Sequence, residues 1–112
     1  MRIAPLGLVA LLACAAPTRR EDVLLPEGTG DVRIQEACAV TARICTRCHE
    51  LNRIAVAQLH SPREWQDLVQ RMRLMPSSNI TTEGAQEATR CLVHRAYGNA
   101  GLAQLTVQED KP

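Results

Sequence analysis

The sequence predicts an all-α fold, and three observations support this class. Three stretches of the 112-residue chain repeat apolar residues at the three- and four-residue spacing of a helix face. Capping residues and prolines stand where these stretches begin and end. No stretch alternates apolar and polar residues as a half-buried strand would, and no internal repeat is present.

The first predicted helix begins after Asp31, whose carboxylate can accept hydrogen bonds from the free backbone N–H groups of the first turn. One stripe of this helix carries residues spaced by three or four positions: Ile34, Cys38, Thr41, Cys45 and Cys48. Because residues at this spacing share one face, two cysteines are expected at the end of an amphipathic helix.

The second predicted helix begins with a capping box formed by Ser61 and Glu64, with Pro62 at the favoured first position. Its apolar face consists of Trp65, Leu68, Val69 and Met72. Pro76 disfavours helical geometry at Met75, so we expect the helix to end there.

The third predicted helix begins at the capping residue Thr82 and ends near Gly98. Its apolar face consists of Ala85, Ala88, Leu92 and Ala96. Residues 99–112 are expected to form a C-terminal tail, so the predicted domain of three main helices spans residues 31–98.

The N-terminal residues are organised like a bacterial lipoprotein signal. Arg2 precedes an apolar stretch that is too short to span a bilayer, and this stretch ends in Leu-Leu-Ala-Cys at Cys14, which resembles a lipobox. We expect residues 1–13 to be removed as a signal peptide and Cys14 to be lipidated; the alternative is an ordinary signal peptide cleaved near Ala15–Ala16. Residues 14–30, which are rich in charges, Pro and Gly, are predicted to form the lipidated N-terminus and a tether.

Cys45, Cys48 and His49 form the motif Cys-Thr-Arg-Cys-His. At this spacing each thiol can add to a vinyl group of haem, and the imidazole can reach the iron from the proximal side. The sequence predicts one covalently attached haem c, with Cys45 and Cys48 as thioether residues and His49 as the proximal iron ligand. With one Trp, one Tyr and no Phe, the chain also lacks the aromatic area that normally fills a small core, and a porphyrin would supply it.

Two other uses of a Cys-x-x-Cys pair fit the sequence less well. A structural zinc site normally needs a second pair at similar spacing, which the chain lacks. A thioredoxin-like redox pair normally lies next to a βαβ pattern, which is also missing. Attachment of haem is therefore the favoured use.

The charge of the chain is nearly balanced, with a formal net charge of +1. No global field favours nucleic acid or a strongly acidic partner. Arg43, Arg47 and Arg53 flank the attachment motif, where they can steer an acidic redox partner or neutralise haem propionates. A solvated polar face is the simpler interpretation of these arginines.

Several features in sequence order resemble a small class I c-type cytochrome over residues 31–98: a helix ending in Cys-x-x-Cys-His, an Arg-Ile pair, a helix with a Trp, a Met-Pro pair and a closing helix. The resemblance implies that the first and last helices cross near the haem. It sets Ala37 and Thr41 of the first helix against Cys91 and Leu92 of the last. It also implies transfer of single electrons.

The resemblance further indicates the sixth iron ligand. Family loops commonly present this ligand as Met-Pro, which favours Met75. The alternatives are Met72, in the centre of an apolar helix face where a Met more often fills the core, and the histidines His60 and His94. A thioether ligand suits electron transfer, whereas an open position permits binding of small molecules.

Two cysteines, Cys38 and Cys91, remain after the haem pair and Cys14 are assigned, in a compartment where thiols oxidise. Cys38 lies on the same stripe as Cys45 and is expected to face inward. If the helices cross as the resemblance implies, Cys38 and Cys91 lie close, and we expect a disulfide between them. The alternative is two buried thiols.

The expected protein is a lipid-anchored, monohaem c-type cytochrome that carries electrons and is not an enzyme, facing the periplasm or the cell exterior. Its expected partners are redox proteins and, through Cys14, the membrane, with no nucleic acid and no small-molecule substrate. Two alternatives remain open. One is a haem-based gas sensor or ligand-binding module, and the other is a haem-bearing subunit of a larger oxidoreductase complex.

Overall fold

Helices form the regular structure of the chain in the computed structural model, which describes Leu24 and residues 30–109, with side chains up to Leu105. The helices are α1 (Val32–Cys45), α2 (Leu51–Ala55), α3 (Pro62–Leu74) and α4 (Thr82–Glu109). No strand occurs among these described residues, which confirms the all-α class. The predicted signal peptide and Cys14 lie outside the described part of the chain.

The first helix, α1, begins at its predicted cap but ends earlier than the predicted stripe. Asp31 Oδ1 accepts hydrogen bonds from two backbone N–H groups of the first turn, at 2.9 and 3.3 Å. Thr46 leaves helical geometry (φ −87°, ψ 2°), and its hydroxyl donates to Ala42 O at 2.7 Å. Cys48 and His49 therefore lie in the turn after α1, and the prediction that Cys48 lies on the stripe of this helix was wrong.

The capping box predicted for α3 is present with one difference. Ser61 Oγ accepts a hydrogen bond from the backbone N–H of Glu64 at 3.2 Å. The Glu64 carboxylate accepts in return from the N–H of His60 at 2.8 Å, one residue before the cap. The helix ends where it was predicted to, because Met75 is already extended (φ −64°, ψ 138°) ahead of a proline.

The last helix, α4, differs from the prediction at its start and in the helical stretch that follows Gly98. Thr81 Oγ1 accepts a hydrogen bond from the N–H of Gly84 at 3.0 Å, so the cap is Thr81 and not Thr82. Gly98 breaks the helix with φ 64° and ψ −159°, a conformation open essentially only to glycine. The helical stretch before Gly98 matches the predicted third helix.

The chain after Gly98 folds back as a second helical stretch, so residues 99–109 are not the tail that the sequence predicted. Leu102 lines a groove together with Gln86, which precedes it by sixteen residues. A straight helix, at about 1.5 Å per residue, would hold such residues roughly 24 Å apart. Gly101 is buried in this arrangement, because the stretch after Gly98 lies close to the part of α4 that precedes Gly98.

A single core holds the helices together, with α4 packed against both α1 and α3. Besides Leu24, its buried apolar residues are Ile34, Ala37, Cys38, Ala42, Ile44, Leu51, Ile54, Trp65, Val69, Ala85, Ala88, Cys91, Leu92 and Val93. Leu24 is 0% exposed, although the sequence placed it in the tether. Burial of this apolar side chain stabilises the fold. The core therefore includes a residue that lies before the predicted domain boundary at residue 31.

A disulfide joins α1 to α4 and confirms the predicted pairing of Cys38 with Cys91. The two Sγ atoms are 1.98 Å apart and the Cα atoms 5.0 Å apart, and both residues are 0% exposed. At the surface, Arg33 Nη2 pairs with Glu87 Oε1 across the same two helices at 3.0 Å. The close contact of the first and last helices that the resemblance implied is therefore present.

Candidate cofactor site

A cavity of about 170 Å³ lies among α1, α3, α4 and the chain that connects α1 to α3. Its mainly apolar lining consists of Ile44, Cys45, His49, Arg53, Ile54, Ala57, Trp65, Leu68, Val69, Met72, Ile80, Ala88 and Leu92. The cavity brings together two residues of the Cys-Thr-Arg-Cys-His motif and one of the candidate methionines.

Cys45 reaches the cavity from the last turn of α1, where it is half-buried and unpaired with another cysteine. Burial raises the pKa of its thiol to about 11, with a further contribution from Cys48. The thiol is consequently protonated at neutral pH in the chain without a bound group.

His49 lines both the cavity and an adjoining open groove of about 620 Å³ formed by residues 46–52. Its Nδ1 atom lies 3.3 Å from the backbone carbonyl oxygen of Glu50. A proton on Nδ1 can be donated to that oxygen, which leaves Nε2 with the lone pair that a metal requires; metal-binding histidines are commonly oriented in this way. Cys48 is exposed and lines the open groove, so the motif extends from the cavity to the surface.

The four candidates for the distal ligand occupy different environments. Met72 lines the cavity from α3 and is 36% exposed, whereas Met75 is 57% exposed and lies outside the lining. His60 is exposed in the loop before α3, and His94 on α4 is partly buried; neither lines the cavity. Of these four residues, Met72 shares the cavity with the attachment motif.

Trp65 lines the cavity and carries a polar N–H group. The sequence did not identify this residue as part of the site. The residue is 2% exposed, and its Nε1–H has no hydrogen-bond partner among the described residues. A buried indole N–H normally finds a hydrogen-bond acceptor. The presence of a single Trp on the predicted apolar face of the second helix was the sequence signal that could have identified this group. Arg53 lines the same cavity from α2. Trp65, with its unpaired N–H, and the cationic Arg53 are therefore both among the residues that line this mainly apolar cavity.

All three arginines near the motif are exposed, and they differ in what they line. Arg47 lines the open groove, and Arg43 lies in the last turn of α1. Neither lines the cavity, so a solvated face is the interpretation that fits both residues. Arg53 is the flanking arginine that is placed to contact a ligand.

Among the described residues, no three His, Cys, Asp or Glu side chains come together as a group that could hold a metal ion. No helix within residues 30–109 is long and apolar enough to cross a membrane. Comparison of the chain with protein-family models, with curated proteins and with solved structures finds no match.

Proposed function

We propose that this protein is a small electron carrier of the c-type cytochrome class. Cys45 and Cys48 would hold one haem c as thioethers, and His49 would bind the iron on the proximal side. The proposal is carried by the convergence of Cys45 and His49 on one apolar cavity, with Cys48 on the groove that meets this cavity at His49. When bound, the haem iron supplies reversible one-electron transfer.

The residues around the cavity suit both the ring and the carboxylate edge of a porphyrin. The apolar side chains of α1, α3 and α4 exclude water from the interior of the site. The unpaired Nε1–H of Trp65 can donate to a propionate carboxylate, and the Arg53 guanidinium can pair with one. These roles give the buried donor of Trp65 the partner that it lacks among the described residues.

The position of Met72 on the cavity lining supports this residue as the distal iron ligand in place of Met75. Met75 is more than half exposed and lies outside the lining. A thioether sulfur there would occupy the distal position of a bound haem and raise its reduction potential, which suits electron transfer.

A haem-based ligand-binding module is the second candidate function, and the partial exposure of Met72 favours it. A side chain that is 36% exposed at the rim can leave the distal position open to a small molecule. The optical spectrum of the reduced holoprotein with and without carbon monoxide separates the two functions. An electron carrier with a bound thioether keeps its spectrum, whereas rapid conversion to a carbonyl form would establish the ligand-binding module.

The carrier is proposed to be exported and held at the membrane by lipid on Cys14, with redox proteins as its partners. Because Leu24 is buried in the core, the connection from Cys14 to the folded domain is shorter than the predicted tether of residues 14–30. The domain would then stay close to the membrane surface. Co-purification with other subunits from detergent would instead identify a fixed part of a larger oxidoreductase.

A further inference from the structure

The C-terminal end of α3 carries two adjacent apolar side chains that the fold leaves in water. Leu74 is 72% exposed and Met75 is 57% exposed. Val32 and Val56 are exposed to a similar degree, but each stands singly on another part of the described chain. Apolar residues that are exposed singly need no explanation. The adjacent pair at the end of α3 is therefore the surface feature to be explained.

Two arginines in the last turn of α3 flank this pair, and neither is neutralised by a carboxylate. The salt bridges among the described residues lie within α1, within α4 or between these two helices. Asp67, one turn before Arg71, forms no salt bridge with it, and Arg73 donates through Nε to the uncharged Gln70 Oε1 at 2.9 Å. We call the resulting apolar and positively charged surface the α3 tip; it consists of Arg71, Arg73, Leu74 and Met75.

The turn that follows α3 is held by its own hydrogen bonds. Ser78 Oγ donates to Arg73 O at 2.7 Å, and the Ser78 N–H donates to Met75 O at 3.2 Å. Ser77 and Asn79 have φ values of 63° and 51°, which residues other than glycine adopt uncommonly. Because this backbone is already ordered, the α3 tip can enter a contact without a large further loss of conformational entropy.

The chain that precedes the fold brings one particular surface close to the α3 tip. Cys14 precedes the buried Leu24 by ten positions, and ten residues span at most about 35 Å when fully extended. A domain of about 80 residues is roughly 30 Å across. With lipid on Cys14, any face of the domain can therefore touch the membrane, and the whole domain stays near it. This tether gives the membrane surface a high effective concentration at the α3 tip.

We propose that the α3 tip docks on an anionic phospholipid surface, with its two apolar side chains in the headgroup region and its two arginines paired with lipid phosphates. The inference rests on the proposed function, since lipid on Cys14 brings the membrane within reach. Surfaces that combine apolar side chains with basic ones bind the interface of anionic bilayers. An acidic protein would also attract the arginines, but the tether favours the membrane because it keeps this surface close at all times.

Docking through the α3 tip would orient the proposed cofactor site. Met72 belongs to the same last turn of α3, and it lines the cavity. The side of the cavity formed by α3 would then lie about one helix turn, roughly 5 Å, from the docked surface. The redox partner that suits this orientation is a protein that exchanges electrons at the membrane surface.

Flotation with lipid vesicles tests the proposal. Full-length Cys14→Ser protein, purified as its host produces it, carries no lipid of its own and serves as the parent protein. It is mixed with vesicles of equal parts phosphatidylglycerol and phosphatidylcholine, or of phosphatidylcholine alone. Lipid is present in large excess, because even a single acyl chain gives only marginal binding. The parent protein should float with the anionic vesicles and much less with the neutral ones.

Two variants of the parent protein remove one element of the α3 tip each. Arg71→Gln should weaken association with anionic vesicles about fivefold, the effect of one basic residue near an anionic surface. Leu74→Gln should weaken it roughly five- to tenfold, because the inserted side chain is no longer apolar. Both residues are exposed, so the fold should tolerate either change.

Val32→Gln and Arg63→Gln are the matched controls. Val32 is 63% exposed but lies at the start of α1. Arg63 lies in the first turn of α3, eight residues before Arg71. This separation is about 12 Å along the helix, which exceeds the screening length of about 8 Å at physiological salt. Both controls should float like the parent protein.

Two results would overturn membrane docking. A parent protein that floats with neither kind of vesicle would leave the α3 tip to an acidic protein partner. Equal losses in Arg63→Gln and Arg71→Gln would show attraction by overall charge without a docking site. Immunoblotting follows the protein independently of haem. A parent protein purified without haem would therefore refute the proposed cytochrome, while flotation would still decide whether the α3 tip binds the membrane.

Discussion

At the scale of single residues, the phase of α3 decides which methionine reaches the cavity. Met72 follows the buried Trp65 by seven positions and the buried Val69 by three, so it lies on the helix face that these residues define. Met75 comes after the last turn, where the backbone has become extended. The sequence contains this phase information, but the Met-Pro pattern of the resembling family indicates Met75 instead.

The variant Met72→Ala is expected to abolish the weak near-infrared sulfur-to-iron band of the oxidised holoprotein, because it removes the sulfur atom at the cavity. Met75→Ala is the matched control and should retain the band. Since Met72 is 36% exposed, its truncation should cost less than the roughly 2–5 kcal/mol of a fully buried methionine, as measured by denaturant unfolding. If Met75→Ala loses the band and Met72→Ala keeps it, Met75 is the distal iron ligand and the proposal for Met72 is wrong.

Glu87 is the residue whose titration affects the contact between α1 and α4. Burial alone would raise the pKa of its carboxyl group, but hydrogen bonds from Arg33 and Arg90 outweigh burial and hold the pKa below the ordinary value of 4.5. A carboxyl group with a lowered folded-state pKa stabilises the fold at pH values above its unfolded-state pKa. This contribution is lost as the pH falls through the folded-state pKa.

The variant Glu87→Gln should therefore have a lower free energy of unfolding than the wild type at neutral pH. The difference should shrink as the pH falls below the ordinary carboxyl pKa, because the wild-type side chain then also becomes neutral. Denaturant unfolding at a series of pH values measures this difference. A difference that stays constant into strongly acidic solution would show that the carboxylate charge is not its cause.

At the scale of elements, α4 connects the two helices that form most of the cavity. It carries Ala88 and Leu92 on the cavity lining and Cys91 in the disulfide to α1. The small side chains between α1 and α4 bury less apolar area than the aromatic side chains that normally fill a small core would bury. The disulfide supplies a covalent connection at that place.

The double variant Cys38→Ala/Cys91→Ala is expected to lose up to roughly 4 kcal/mol of stability, because the bond closes a loop of 53 residues in the unfolded chain. The loss should be smaller in the holoprotein, where the proposed thioethers would also restrict the unfolded chain. Alkylation of denatured, unreduced wild-type holoprotein checks the bond. Cys38 and Cys91 should react only after reduction, and labelling without reductant would show that the disulfide is absent.

Local signals predicted the starts of α1 and α3. Asp31 and Ser61 cap their helices as expected, because a cap depends on residues within one turn. The return of the chain after Gly98 was missed, since the short stretch that carries Leu102 and Leu105 shows too little periodicity. Its helical state depends on packing against residues far away in sequence, which no local pattern reveals.

At the scale of the whole molecule, the core consists of small and medium-sized apolar side chains around a cavity. Trp65 is the one aromatic residue among the buried core residues described. The composition predicted a shortage of aromatic volume, and the cavity beside Cys45 and His49 is consistent with that prediction. The position of residues 51–60 against α4 could not be predicted, because it depends on hydrogen bonds from residues about 40 positions away.

Membrane attachment through Cys14 stays a prediction from the sequence, because this residue lies outside the described part of the chain. Cys14→Ser should shift the protein from the membrane fraction to the soluble extracytoplasmic fraction, since a single acyl chain already gives only marginal binding and none would remain. Cell fractionation followed by immunoblotting measures the distribution. A variant that stays in the membrane fraction would exclude lipid on Cys14 as the anchor.

Covalent attachment of haem tests the central claim most directly. The wild type and the double variant Cys45→Ala/Cys48→Ala are produced in a host that attaches haem c, and both are stained for haem after denaturing electrophoresis. We expect haem staining at the position of the wild-type protein and none in the double variant. Cys38→Ala/Cys91→Ala, which also removes two thiols, should keep the stain. A wild-type protein without stain, or equal staining of the Cys45→Ala/Cys48→Ala variant, would contradict the assignment of this chain as a c-type cytochrome.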